Sequence, residues 1–118
     1  TDEEIIELIK KYPKLKALNL RNNIKVTDKI YPYLKNIEKL NISYCFNLNG
    51  SILDHLPNIK WLSMFRIPIC IMDLYNKLKN KKIEFLRFTN CSYYLSCNCT
   101  DSLDLYEWFS TIDVCFSV

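Results

Sequence analysis

Glycine and histidine are nearly missing from this 118-residue chain, which has one of each, Gly50 and His55. Average glycine usage is about 7%, so folds built on two-residue hairpins or glycine phosphate loops are disfavoured. Asparagine is abundant and takes over part of glycine's role at left-handed turn positions. A single histidine is thin provision for acid–base work, and no paired-histidine metal motif or nucleophile elbow occurs. His55 lies among Leu53, Leu56 and Pro57, where a surface or packing role outweighs a thiol–imidazole pairing with Cys45 or Cys70. The chain is therefore read as non-enzymatic, with no catalytic residue, resident cofactor or metal expected.

Long apolar runs are also lacking. None approaches the roughly 18 residues that cross a bilayer, so no membrane partner is expected. The first residues, Thr1-Asp2-Glu3-Glu4, lack the basic and apolar regions of a secretory leader. Net charge is +3 and the signs alternate along the chain, which does not indicate a dedicated nucleic-acid binder. Apolar residues at 49% and charged residues at 25% are ordinary for a folded domain, and the length suits one domain.

What is present is a period. Four segments align: Leu15-Lys-Ala-Leu18-Asn-Leu20, Ile37-Glu-Lys-Leu40-Asn-Ile42, Ile59-Lys-Trp-Leu62-Ser-Met64 and Ile83-Glu-Phe-Leu86-Arg-Phe88. Their starts differ by 37−15 = 22, 59−37 = 22 and 83−59 = 24 residues. Each reads apolar-x-x-apolar-x-apolar, a short strand whose second half alternates inward and outward. Between them, Thr27-Asp28 can start a helix carrying Ile30 and Leu34, and Asn49-Gly50-Ser51 another carrying Ile52, Leu53 and Leu56. A third, from Ile71 to Leu78, places Leu74 and Leu78 on one side. The expectation is α/β: a leucine-rich-repeat solenoid with parallel strands on the concave face, helices on the convex face and a C-terminal helical cap.

The ninth position of each unit holds Asn23, Cys45, Ile67 and Cys91. Leucine-rich repeats favour Asn or Cys there, because the side chain bonds to backbone in the turn after the strand. Ile67 breaks the pattern, so its turn must satisfy its backbone differently. The stretch Leu40-Asn-Ile-Ser-Tyr-Cys45-Phe-Asn-Leu48 resembles the cysteine-containing repeats of F-box and related substrate receptors. The segment from Thr1 to Ile5, running on through Tyr12-Pro13-Lys14-Leu15, is similar to the helical half of such a repeat. Thr1-x-x-Glu4 is also a capping box. The resemblance covers residues 1 to about 92 and implies protein recognition, in many members for ubiquitin transfer. No segment matches an F-box.

Repeats are expected over 1–92, an N-terminal helix plus about four strand units, with a cap over 93–118. After Phe88 the period is lost, and 101–109 can form a helix with Leu105, Trp108 and Phe109 along an apolar side. Cys91, Cys97, Cys99 and Cys115 crowd this end and leave three readings open. Free, buried thiols lead, since Cys45 and Cys91 already have repeat-based explanations. A disulfide cap, similar to that of secreted leucine-rich-repeat proteins, comes next. Zinc comes last, because Cys97-x-Cys99 lacks the usual two-residue gap. Sequons at Asn41, Asn49, Asn90 and Asn98 would suit secretion, although Asn41 would sit mid-strand.

Alternation within the strands builds outward rows. The first is Ala17, Lys39, Trp61 and Phe85; the second Asn19, Asn41, Ser63 and Arg87; the third Arg21, Ser43, Phe65 and Thr89. Trp61, Phe65 and Phe85 converge there, with Tyr44 near and Lys39, Arg66 and Arg87 as a basic rim. An aromatic centre with such a rim is the composition of a protein-binding hot spot. The opposing reading covers these rings with the tail or with further repeats. The expected function is a cytoplasmic protein–protein interaction module, by resemblance the recognition part of a ubiquitin-ligase receptor. The alternative is a secreted or cell-surface recognition protein, and RNA is a lesser candidate partner.

Overall fold

A computed structural model describes residues 1–90 and 103–117. The protein is α/β, with a five-stranded parallel sheet in sequence order. Helix α1 (Asp2–Lys11) precedes β1 (Ala17–Asn19), β2 (Lys39–Asn41) and β3 (Trp61–Ile69). Then come α2 (Ile71–Leu78), β4 (Phe85–Asn90), α3 (Leu103–Ser110) and β5 (Asp113–Ser117). Single 3₁₀ turns, Asp28–Tyr33 and Gly50–His55, connect β1 to β2 and β2 to β3.

The four aligned segments supply the first four strands, and their alignment is the register. Leu18, Leu40 and Leu62 pair in line with Leu86, and Ala17, Lys39, Trp61 and Phe85 pair beside them. Inward residues stack into one core: Leu18, Leu40, Leu62 and Leu86 in one row, Leu20, Ile42, Met64 and Phe88 in the next, all buried. Ile37, Ile59 and Ile83 close its lower edge. These rows belong to one continuous core that runs across the sheet.

Two expected helices are 3₁₀ turns, and chain economy explains it. Units of 22 residues leave a short connection, and a 3₁₀ turn rises about 2.0 Å per residue against about 1.5 Å for an α-helix. Pro32 sits inside the first turn and has no N–H for a longer ladder. Pro57 follows the second and holds Leu56 outside the helical region. Thr27 and Asn49 cap the turns as expected, each accepting a backbone N–H two residues on. The third connection is two residues longer and accommodates an eight-residue α-helix, α2, with Leu74 and Leu78 buried. The single glycine lies at a close approach: a Cβ on Gly50 would meet Ile69 Cδ1 at 3.0 Å.

The period does not end at Phe88. Helix α3 forms where the tail was expected to be helical, with Leu105 buried, but β5 then adds a fifth parallel strand. It pairs Phe85 with Asp113, Leu86 with Val114 and Phe88 with Phe116. The interval from Phe85 is 113−85 = 28 residues, and Thr111 stands where the other units have Leu or Ile. Both departures hid the strand.

Helix α1 is fastened to the first unit by one buried carboxylate. Asp2 accepts from the Thr27 amide at 2.8 Å and the Thr27 hydroxyl at 2.6 Å. Burial pushes the Asp2 carboxyl up, but the two Thr27 bonds, with Lys29 and the amino terminus, outweigh it and hold its pKa below the ordinary value. Thr1 caps the helix, its hydroxyl accepting from the Glu4 amide.

Candidate functional site

Three backbone positions shape the upper rim of the sheet. Asn22, Tyr44 and Arg66, each 22 residues from the next, have φ of 65°, 64° and 64°. This left-handed step follows β1 and β2 at Asn22 and Tyr44, and at Arg66 it falls inside β3, where the register shifts. The Asn22 and Tyr44 amides donate to the Ser43 and Phe65 carbonyls of the next unit, both at 2.9 Å. The Arg66 amide instead donates to Thr89 Oγ1 at 2.9 Å. Asparagine tolerates this conformation; tyrosine and arginine are strained in it.

The ninth-position residues act between units. The Cys45 thiol, fully buried, donates to the Leu20 carbonyl at 2.9 Å. Burial pushes this thiol's pKa up, against a downward pull from the Asn23 backbone. Ile67 has no such bond to make, and its unit compensates by prolonging the strand. After a register shift between Met64 and Pro68, β3 resumes pairing at Pro68 with Thr89 and Ile69 with Asn90. Cys91 lies outside the described residues.

The outward row is a stack of rings and cations. Trp61 and Phe85 lie face to face, centroids 4.6 Å apart and planes 11° from parallel. Lys39, paired with Trp61 on the preceding strand, sets its Nζ 4.8 Å from the indole centre. The Arg87 guanidinium carbon stands 5.3 Å from the centres of both Phe65 and Phe85. Lys39, Trp61, Phe65, Phe85 and Arg87 are thus brought together. Lys39 is exposed, and the other four are half-buried. Tyr44 is half-buried but turned to a different partner, Arg21, whose guanidinium carbon is 5.3 Å from its ring. Arg66 is exposed, and among the described residues its side chain makes no ring contact or ion pair with the cluster.

Sequence reasoning misplaced three hydroxyls and missed one cation. Ser43, Ser63 and Thr89 were expected to face solvent, yet all three are buried. Ser43 and Ser63 hydroxyls meet at 2.9 Å, and Ser43 Oγ also accepts from the Phe65 amide at 3.0 Å. Small hydroxyls sink beneath the larger rings of adjacent rows and satisfy backbone there. Arg21 joins the face through Tyr44; its signal was its place in the third row. Beside the stack lies a hollow of 380 Å³ lined by Ala17, Leu18, Asn19, Lys39, Asn41 and Trp61.

Charge is segregated along the strands. At their starting ends, Glu38 pairs with Lys16 at 2.8 Å and Lys60 at 3.1 Å. Hydrogen bonds from these two lysines hold the Glu38 pKa below the usual carboxylate value. Among the described residues no carboxylate pairs with Arg21, Lys39, Arg66 or Arg87. Arg87 Nε is buried without a hydrogen-bond acceptor.

The remaining candidates lie elsewhere. His55 is exposed, its ring 5.2 Å from that of Tyr31. Cys45 and Cys115 are free thiols, while Cys70 is disulfide-bonded. Cys97 and Cys99 fall outside the described residues, as do the sequons' Asn98 and the start of the expected 101–109 helix. Comparison with models of known families, with curated proteins and with solved structures gives no match for this chain.

Proposed function

We propose that this chain is a leucine-rich-repeat solenoid of the cysteine-containing type whose concave sheet captures a protein partner without catalysing a reaction. Support for the repeat class comes from parallel strands in sequence order, spaced by 22, 22 and 24 residues, with a cysteine thiol bonding between units. The cation–ring stack of Lys39, Trp61, Phe85, Arg87 and Phe65 carries the binding reading. Half-buried aromatics held rigid by neighbours, with cations at the rim, lose little conformational entropy when a partner covers them. The test is affinity purification of partners by the wild-type chain beside Trp61→Ala and Phe85→Ala. A partner held by the wild type and lost by both variants supports the face; equal recovery by all three rejects it.

By its resemblance to F-box-type receptors, the module would present its partner for ubiquitin transfer, from the cytoplasm. One observation favours the second reading, a secreted or cell-surface recognition protein. Cys70 is disulfide-bonded, and disulfides persist chiefly in oxidising compartments. Thiol counting under denaturing, non-reducing conditions on protein from its native source separates the two. Six free thiols would mean that Cys70 is reduced there and support the cytoplasmic receptor, and four or fewer support the secreted protein.

A further inference from the structure

Resting on the reading that this sheet face binds a partner, we infer that the partner presents an acidic protein segment, whose carboxylates seat on Lys39 and Arg87 across the Trp61–Phe85 stack. Charge complementarity carries the choice. The outward rows hold Arg21, Lys39 and Arg87, and Asp113 on the outermost strand is their one acid among the described residues. Among the described residues none of the three cations has a carboxylate partner; each stands over a ring instead. The fold pairs its lysines where it needs neutrality, at Glu38 on the strand starts, and leaves this face unneutralised. Arg87 Nε is buried with no acceptor among the described residues, so a carboxylate meets the guanidinium from the half-exposed end of the side chain. A guanidinium held against two rings is fixed in place before a carboxylate arrives, which lowers the entropy cost of a charge-assisted bond.

The rings themselves discriminate between anions. A nucleic acid would bind by stacking bases on exposed aromatic faces. On Trp61 those faces are taken: the register sets Lys39 on one side and Phe85 on the other, at 4.8 and 4.6 Å. What Trp61 can offer a ligand is its edge, where the ring quadrupole is positive. Positive edges between cations suit carboxylates on a flexible chain better than flat bases. The hollow beside Lys39 and Trp61, 380 Å³, gives room for the side chains between those carboxylates.

Fluorescence anisotropy on the full chain tests this with three labelled probes. These are a short peptide of alternating glutamate and leucine, the same peptide with glutamine for glutamate, and an oligouridylate of matching length. The glutamate peptide should bind and weaken with added salt. Arg87→Gln should weaken it by about tenfold, as expected for loss of a charge-assisted bond. Lys39→Gln, at an exposed position outside the buried core, should weaken it several-fold. Equal binding of the glutamine peptide, lost in Trp61→Ala, would overturn the acidic preference while leaving the binding face in place. Tighter binding of the oligouridylate would overturn the choice of a protein segment. If none of the probes binds, the inference fails, and the purification with Trp61→Ala and Phe85→Ala then judges the face separately.

Discussion

Trp61 and Phe85 occupy one register position on neighbouring strands and stack 4.6 Å apart, 11° from parallel. Neither ring is part of the buried core, which lies on the opposite side of the sheet in the Leu40–Leu62–Leu86 row. Their removal should therefore separate binding from folding. Trp61→Ala and Phe85→Ala are each expected to lower partner affinity by about 2 kcal/mol or more. Unfolding stability should fall by about 1 kcal/mol, with a coupling between the two sites near that of a stacked pair. A double-mutant cycle in urea, run beside the binding measurement, reads both. Collapse of the fold in either single variant would show that the rings are core after all.

How much of this was legible follows from what each element depends on. Strands β1 to β4 depend on apolar side chains at fixed spacing, and spacing is a property of sequence. Strand β5 hid because Thr111 interrupts the apolar pattern and the interval stretches to 28 residues. Connections between Thr27 and Leu34 and between Asn49 and Leu56 carry the right apolar residues for either helix type. The distance to the next strand decides between them, and that is a tertiary quantity. On the outward face, row membership predicted the Lys39–Trp61–Phe85 contact but not the Arg21–Tyr44 one. Tyr44 is redirected by its left-handed backbone, which no tyrosine signals in advance.

That left-handed conformation yields a second prediction. Asn22, Tyr44 and Arg66 hold the same φ, and only the first is a residue type that adopts it readily. Arg66 is exposed, and its backbone amide rather than its side chain makes the bond to Thr89. Arg66→Asn should thus raise stability by about 1 kcal/mol, lifting the thermal midpoint by a few degrees. Calorimetry of the variant checks it. A lower midpoint would mean that the arginine side chain contributes more than the strain costs.

Acid should loosen the amino-terminal helix. Asp2 has its pKa held below the ordinary 3.8 in the folded protein, so it binds a proton less readily folded than unfolded. Its contribution is complete above that ordinary value and drains away as pH falls through it towards the lower folded-state pKa. Asp2→Asn keeps an acceptor but loses the charge, and should cost roughly 1–2 kcal/mol at neutral pH. The difference between wild type and variant should shrink as pH is lowered from about 6 to about 3. Glu38, also held low, titrates in both proteins and cancels in the difference. Urea midpoints across this range give the comparison, and a pH-independent gap would rule out the carboxylate as its source.

The three described cysteines differ in environment and should differ in reactivity. Cys115 is exposed on the outermost strand, so iodoacetamide should alkylate it in the native protein. Cys45 is buried, its thiol is spent on the Leu20 carbonyl, and its pKa is raised, so it should stay unmodified until the sheet opens. Cys70 should resist alkylation even in denaturant and react after reduction. Peptide mapping of protein alkylated under the three conditions distinguishes all three. Native labelling of Cys45 would mean that the bond between the first two units opens readily. In that case Cys45→Ala should leave stability unchanged, whereas an intact bond predicts a loss of about 1–2 kcal/mol from the abandoned carbonyl and the cavity left behind.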